Sequence, residues 1–211
     1  MAPNAHANSD AAKPRRYGGM PENERRNRRR EKLIAAGYDL FGTKGFNNTK
    51  VEQVCATAGV GIRSLYDEFG SLEGLFHAVY DDVVSLAYEA FAQSLLPSGD
   101  ETAGVLLERG IGTYLQQMLN NTRSGRIVSI ESSRLDSFLG GHRNKTLKKF
   151  ARLVASVPPQ DASAFDGDVR TWSLMLAGGL NEVVIDAVLA KRKPDIAALT
   201  ASIARIYART L

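Results

Sequence analysis

An all-α fold, with a small N-terminal helix-turn-helix head on a larger helical body, follows from three features of the chain. Apolar residues recur at helical spacing along most of its length. No stretch alternates with hairpin signals as strands do, and the breaks between periodic stretches carry glycine, proline or capping residues. The 211 residues, 44% hydrophobic and 24% charged, supply one sizeable core or a small domain joined to a larger one. One cysteine, Cys55, excludes an internal disulfide framework and a multi-cysteine metal site. No apolar run approaches the roughly 20 residues of a membrane helix. The N-terminal segment lacks the apolar stretch of a secretory signal, so a reducing, cytoplasmic setting is expected.

The net charge of +4 is unevenly placed. Residues 1–70 hold 12 basic and 8 acidic groups, whereas residues 71–211 hold 15 of each. The excess therefore lies at the N-terminus, where a polyanion can read it. Residues 1–23 mix Ala, Asn, Pro and Gly without hydrophobic period and read as a disordered basic arm. From Glu24 a first helix begins polar, with Arg28 and Arg29 in its basic half, and turns apolar at Leu33, Gly37, Leu40 and Phe41. Gly45 is expected to cap it in the left-handed region. Thr49-Lys50-Val51-Glu52 has the S/T-x-x-E form of a capping box and opens a second helix, with Val51, Val54, Cys55 and Ala58 on its apolar face. Gly59-Val60-Gly61 makes a tight turn. A third helix over 62–69 is expected to bury Ile62, Leu65, part of Tyr66 and Phe69, with Asp67 and Glu68 facing out; Ser71 caps the fourth.

Helical period then continues past residue 90 and stops at Pro97-Ser98-Gly99. Further helices are expected over 102–120, 124–138 and 142–157, the last ended by Pro158-Pro159. A final pair over 168–190 and 194–210 is divided by Lys191-Arg192-Lys193-Pro194, giving about nine helices in all. The first of that pair is apolar nearly all round, so a single neighbour cannot cover it. Its Ala177-Gly178-Gly179 permits close backbone approach. Two domains follow: a head over 24–70 and a body over 71–211.

Two short helices, a glycine-bearing turn and a supporting helix describe a helix-turn-helix, whose second helix of about 12 Å fits across a major groove. Such geometry also occurs in proteins that never touch DNA; the basic first helix and arm favour binding. Residues 33–76 closely resemble the TetR-family DNA-binding domain. The resemblance rests on Phe41, Gly45-Phe46, Thr49, Ala58-Gly59-Val60, Leu65-Tyr66, Phe69, Ser71 and Leu75. It implies that Thr49 meets a phosphate through its hydroxyl and amide, with Lys50 beside it and Lys44 near the backbone. Arg63 and Ser64 resemble the base-reading positions, Arg63 pairing with guanine or contacting phosphate without specificity. Tyr66 resembles the phosphate-binding tyrosine, with packing as its competing role. Three departures stand out. Gly61 replaces a Ser or Thr cap and leaves only a backbone amide for phosphate. Leu72 replaces a common lysine. Asp67 and Glu68 add acids to the recognition helix.

The resemblance further implies a homodimer through the last two helices, a double-stranded DNA operator and a small-molecule effector. Tyr88, Phe91, Tyr114, Met118, Trp172 and Met175 are the large or adaptable groups able to enclose a cavity, with Glu131 and Asn181 as its polar groups. Each also reads as ordinary core. No nucleotide, zinc-protease or nucleophile-elbow motif occurs, and His6, His77 and His142 are scattered, so neither an enzyme, a cofactor nor a metal site is expected. Asp81-Asp82 is an acidic pair whose members point different ways. The reading is a ligand-responsive transcriptional regulator, a repressor released from its operator by a mostly apolar effector. The alternative is an all-helical small-molecule-binding protein or enzyme whose helix-turn-helix only packs.

Overall fold

The computed structural model describes residues 21–139, 141–157, 168–190 and 194–208. Every element among them is helical: α1 Glu22–Lys44, α2 Val51–Ala58, α3 Ile62–Phe69, α4 Leu72–Ser94, α5 Ala103–Leu119, α6 Thr122–Gly125, α7 Ser132–Arg134, α8 Asp136–Leu139, α9 His142–Ala155, α10 Val169–Leu189 and α11 Ile196–Ala208. The expected arm lies largely outside the described residues, as does the Lys191–Lys193 boundary.

The helix expected over 124–138 is instead a broken run. A wide π-turn, Arg126–Glu131, separates α6 from α7, and α8 follows Leu135. The π-turn is almost wholly buried and touches α1, α4 and α10. Ser129 Oγ in it has no hydrogen-bond partner among the described residues.

Side-chain caps mark the starts of several helices. Ser71 Oγ accepts from Gly74 N at 3.1 Å, Thr102 Oγ1 from Val105 N at 3.3 Å, and Asp168 from the amides of Arg170 and Thr171. Helix α11 starts at Ile196, so Pro194 precedes it instead of filling its first position, and Asp195 caps it by accepting from Ala198 N at 3.0 Å. Only the Gln53 half of a capping box forms at α2, one residue later than the sequence pattern: Gln53 Oε1 accepts from Lys50 N at 3.0 Å, while the Lys50 side chain at the N-cap has no acceptor to return the bond. Gly45 ends α1 with positive φ (83°) but an extended ψ (162°), not the left-handed cap of the sequence reading.

The head has no core of its own. Phe41, Phe46 and Phe76 form a ring cluster with centroids 5.3–5.6 Å apart, and Phe76 belongs to α4. Leu75 and Val79, also on α4, are fully buried with Leu33, Val54 and Leu65. The α1–α6 seam is similarly close: a Cβ on Gly42 would lie 2.5 Å from Arg123 Cβ. Tyr38 Oη accepts from Asn121 Nδ2 and shares a hydrogen bond with Ser124 Oγ, both at 3.0 Å, and Arg123 pairs with Asp39 at 2.6 Å.

Glu131 closes the joint between head and body. Its carboxylate is 1% exposed and accepts from the Phe46 amide at 3.0 Å, while Arg126 and Arg134 lie at 3.1 and 3.4 Å. Arg126 and Arg134 are 32% and 56% exposed, so removing the acid leaves them to water and strands chiefly the Phe46 amide. Glu131→Ala should therefore lower unfolding free energy by about 2 kcal/mol in urea titrations, and Glu131→Gln, which still accepts from Phe46, by clearly less. Equal losses for the two would show that the charge both remove is decisive and the Phe46 hydrogen bond is not.

Of the body helices, α10 corrects the expectation that nothing approaches membrane-helix length. It has 21 residues with mean hydropathy 1.4 in its most apolar window, 28% of which is buried. Its inner positions, including Leu176, Leu180 and Val184, are covered, while Met175 and Leu189 are 63% and 62% exposed. On α11, Ile206 is 60% exposed. Part of the apolar excess of α10 is thus uncovered.

Candidate nucleic-acid interface and ligand cavity

The turn between α2 and α3 is made at Gly59, whose φ of 65° is left-handed and whose amide closes on Ala56 and Cys55 carbonyls. Helix α3 then lays Leu65 into the core and exposes Ile62, Arg63, Tyr66 and Asp67 along one outer arc. Ile62 is 44% exposed, so it belongs to the outer surface rather than the core. Tyr66, 50% exposed, is likewise not a core residue. Arg63 is 92% exposed and 3.6 Å from Asp67, a loose pair that exchanges readily for another partner. Ser64 is partly exposed, Gly61 and Lys50 open the two helices from the surface, and Lys44 is exposed at the end of α1.

Thr49 departs from its expected role. Its side chain is buried, its hydroxyl donates to Gly45 O at 2.9 Å, and its amide donates to Phe46 O at 3.0 Å. Both donors hold the loop before α2 and neither is available to phosphate. Glu68 is not an outward-facing acid either: its side chain is 7% exposed beneath Arg26, at 2.8 Å. Arg30 stacks on the Phe69 ring at 4.6 Å. The basic half of α1 is therefore divided. Arg26 and Arg30 brace the end of α3, whereas Arg28 and Arg29 make only exposed pairs with Glu24 and Glu22. Such pairs contribute about 0–1 kcal/mol each and are easily exchanged for phosphate.

The second feature is a cavity of about 410 Å³ between α4, α5, α9 and α10, within the size range of small-molecule sites. Of the residues selected from sequence, Phe91, Tyr114, Met118 and Asn181 line it. The other four do not. Tyr88 stands behind the wall, its ring 5.5 Å from that of Phe150 and covered by Lys149 Nζ at 3.8 Å. Glu131 is in the head–body joint, Trp172 packs on Tyr207 at 5.8 Å, and Met175 faces outward. Gly178 meets no neighbouring backbone; it opens onto the cavity.

Sequence reasoning missed the α9 wall: Arg143, Asn144, Leu147 and Phe150. Their i, i+1, i+4 and i+7 spacing marks a common face, but its polar start hides a cavity wall within an otherwise basic helix. Tyr80, Tyr114 and Arg143 give the cavity a polar end. Burial, then the neighbouring Tyr80 phenol, pushes the Tyr114 hydroxyl above the ordinary tyrosine range, with Arg143 opposing. Val84, Ala87, Phe91 and Leu147 make an apolar part of the wall, and Asn144, Thr146, Asn181 and Glu182 add further polar groups.

Residues 33–79 match the family model described as bacterial regulatory proteins, tetR family. The chain carries a tetR-family head. Beyond it, the described fold resembles solved tetR-like regulators. The fatty acid degradation regulator FadR from Bacillus halodurans superposes with a TM-score of 0.74 at 17% identity, covering 87% of this chain and 96% of that one. FadR from Bacillus subtilis, in complex with stearoyl-CoA, gives 0.74 at 17% identity over 86% and 98%. A TetR-like transcriptional regulator from Rhodococcus sp. RHA1 gives 0.67 at 20% identity over 89% and 97%. These likenesses show the same helical architecture, head and body together. No curated protein sequence matches the chain.

Because the fold favours the neutral Tyr114 phenol, that contribution is present below the ordinary tyrosine value and lost as pH rises above it. Tyr114→Phe should remove part of the alkaline loss of stability, seen as a shallower fall of melting temperature above about pH 10. An unchanged profile would mean that Tyr114 is open to solvent when it ionises.

Proposed function

We propose that this chain is a homodimeric, ligand-responsive transcriptional repressor that leaves its operator when a mostly apolar small molecule fills the cavity. The observation that carries the reading is the double use of α4. Its first turns complete the core of the tetR-family head, and Tyr80, Val84, Ala87 and Phe91 farther along it line the cavity. Filling the cavity moves a wall that is also the support of α3.

Arg63, Ser64 and Tyr66 would meet the DNA from α3, Lys50 and the Gly61 amide from the helix starts, and Arg28, Arg29 and Lys44 from α1. The exposed apolar residues Met175, Leu189 and Ile206 of α10 and α11 would pair with a second copy and present two heads. Two recognition helices must enter major grooves about 34–36 Å apart, so a small change in separation removes one half-site. The effector must bind the displaced spacing more tightly. An apolar stretch of wall, with Arg143 and two phenols at one end and several polar groups beside it, suits a chain-like molecule with a polar or acidic head. The stearoyl-CoA bound to the Bacillus subtilis regulator is of that chemistry. A cytoplasmic, non-enzymatic regulator agrees with these features.

Fragments selected from genomic DNA by the purified chain would supply the operator. Binding to it should fall steeply with salt, and Arg63→Ala should cost about 1–3 kcal/mol of discrimination at one base position. Long-chain acyl-CoA should release the DNA. Equal affinity for every duplex, or none, would favour a small-molecule-binding protein whose helix-turn-helix only packs.

A further inference from the structure

His77 and His142, scattered in sequence, meet on the outside of the body, where α4 faces the first residue of α9. Their rings pack edge to face with centroids 4.5 Å apart. Asp81, one turn after His77, lies between them. Its Oδ2 is 3.2 Å from His77 Nδ1 and its Oδ1 is 3.0 Å from His142 Nε2. Gly141, with φ 76° and ψ 14°, makes the turn that aims His142 back toward α4. Two of the three histidines scattered in sequence thus stand side by side in the fold.

The geometry points to a site for a late first-row divalent cation, zinc above all, held by His77 Nδ1, His142 Nε2 and one oxygen of Asp81. Zinc bonds to imidazole nitrogen and carboxylate oxygen at about 2.0–2.2 Å, which makes the edges of its tetrahedron about 3.4 Å. The two nitrogen–oxygen separations are close to that length but run to different oxygens of Asp81; with one ligand atom from each residue, the three lie within 4.8 Å of one another. Side-chain adjustment of at most about 1.4 Å brings them to that edge. The i, i+4 spacing of His77 and Asp81 already puts both on one face of α4. Two imidazoles and one carboxylate suit zinc, cobalt, nickel or copper, and provide too few oxygens for magnesium or calcium.

The side chains are between 35% and 43% exposed, so water completes the coordination and the ion enters from solvent. On binding, a neutral imidazole carries its proton on the nitrogen away from the ion, Nε2 of His77 or Nδ1 of His142. A protonated imidazole releases one proton to solvent. The neighbours Tyr80 and Arg143 line the cavity from the same two helices. A cation joining α4 to α9 therefore fixes the spacing of two cavity walls.

The test is equilibrium dialysis of the tag-free full chain against zinc alone. Neither DNA nor effector is present, so its outcome is separate from the regulatory reading above. One zinc per chain is expected, with a rise in melting temperature. His142→Gln and Asp81→Asn should each weaken binding about tenfold or more while keeping the metal-free helical circular dichroism. In the wild-type chain, which needs no variant to fold, zinc should slow acylation of His77 and His142 by an imidazole-directed reagent and leave His6 unaffected. Zinc binding undiminished in the His77→Gln/His142→Gln double variant, absence of saturable binding, or unprotected histidines would each overturn the assignment. So would equal competition by magnesium.

Discussion

The carboxylate of Glu131 is the contact on which the arrangement of head and body depends. It is buried at the end of the π-turn, flanked by Arg126 and Arg134, and receives the Phe46 amide from the loop between α1 and α2. A charge with so little exposure is tolerable only while its partners are in place. The position of the head loop, and with it the start of α2, is thus tied to the electrostatics of a body helix. Tyr38, Asp39 and Gly42 extend the same seam along α1. Head and body are held by polar contacts of fixed geometry around a small aromatic cluster, so they are not free to move as beads on a string.

The interface and the cavity divide the labour of α4. Near its start the helix contributes Leu75, Phe76 and Val79 to the head; farther on it contributes Val84, Ala87 and Phe91 to the body. A domain boundary at residue 70 separates the binding surface from the body in sequence. In packing, the head continues into α4, and the family match also runs on to residue 79.

Local pattern made the helices and the head legible. The periods of α1, α4 and α5, the Gly59 turn and the Ser71 cap are all written within a few residues of where they act. The helix that breaks into α6, the π-turn, α7 and α8 was not legible, because its apolar residues allow an unbroken run and the widening is set by contacts with α1, α4 and α10. The cavity was half legible: Phe91, Tyr114, Met118 and Asn181 lie on it. Apolar residues nearly all round α10, some of them exposed, left no period with which to separate Asn181, facing the cavity, from Met175, facing outward. Glu131 and Phe46 are 85 residues apart, and nothing near either one announces the other. The histidine pair around Asp81 was lost for the same reason. Residues joined only by tertiary packing leave no local trace.

The length of α4 sets a mechanical gain. Its 23 residues span about 35 Å. A tilt of 5° about the cavity end carries the other end through about 3 Å, close to the rise of about 3.4 Å between neighbouring base pairs. Under the proposed function, a small tilt set by the cavity would be magnified along a rigid rod into a displacement close to one step of a duplex. A stiff helix shared by head and body would then work as an angular amplifier, with no need for a hinge or local unfolding.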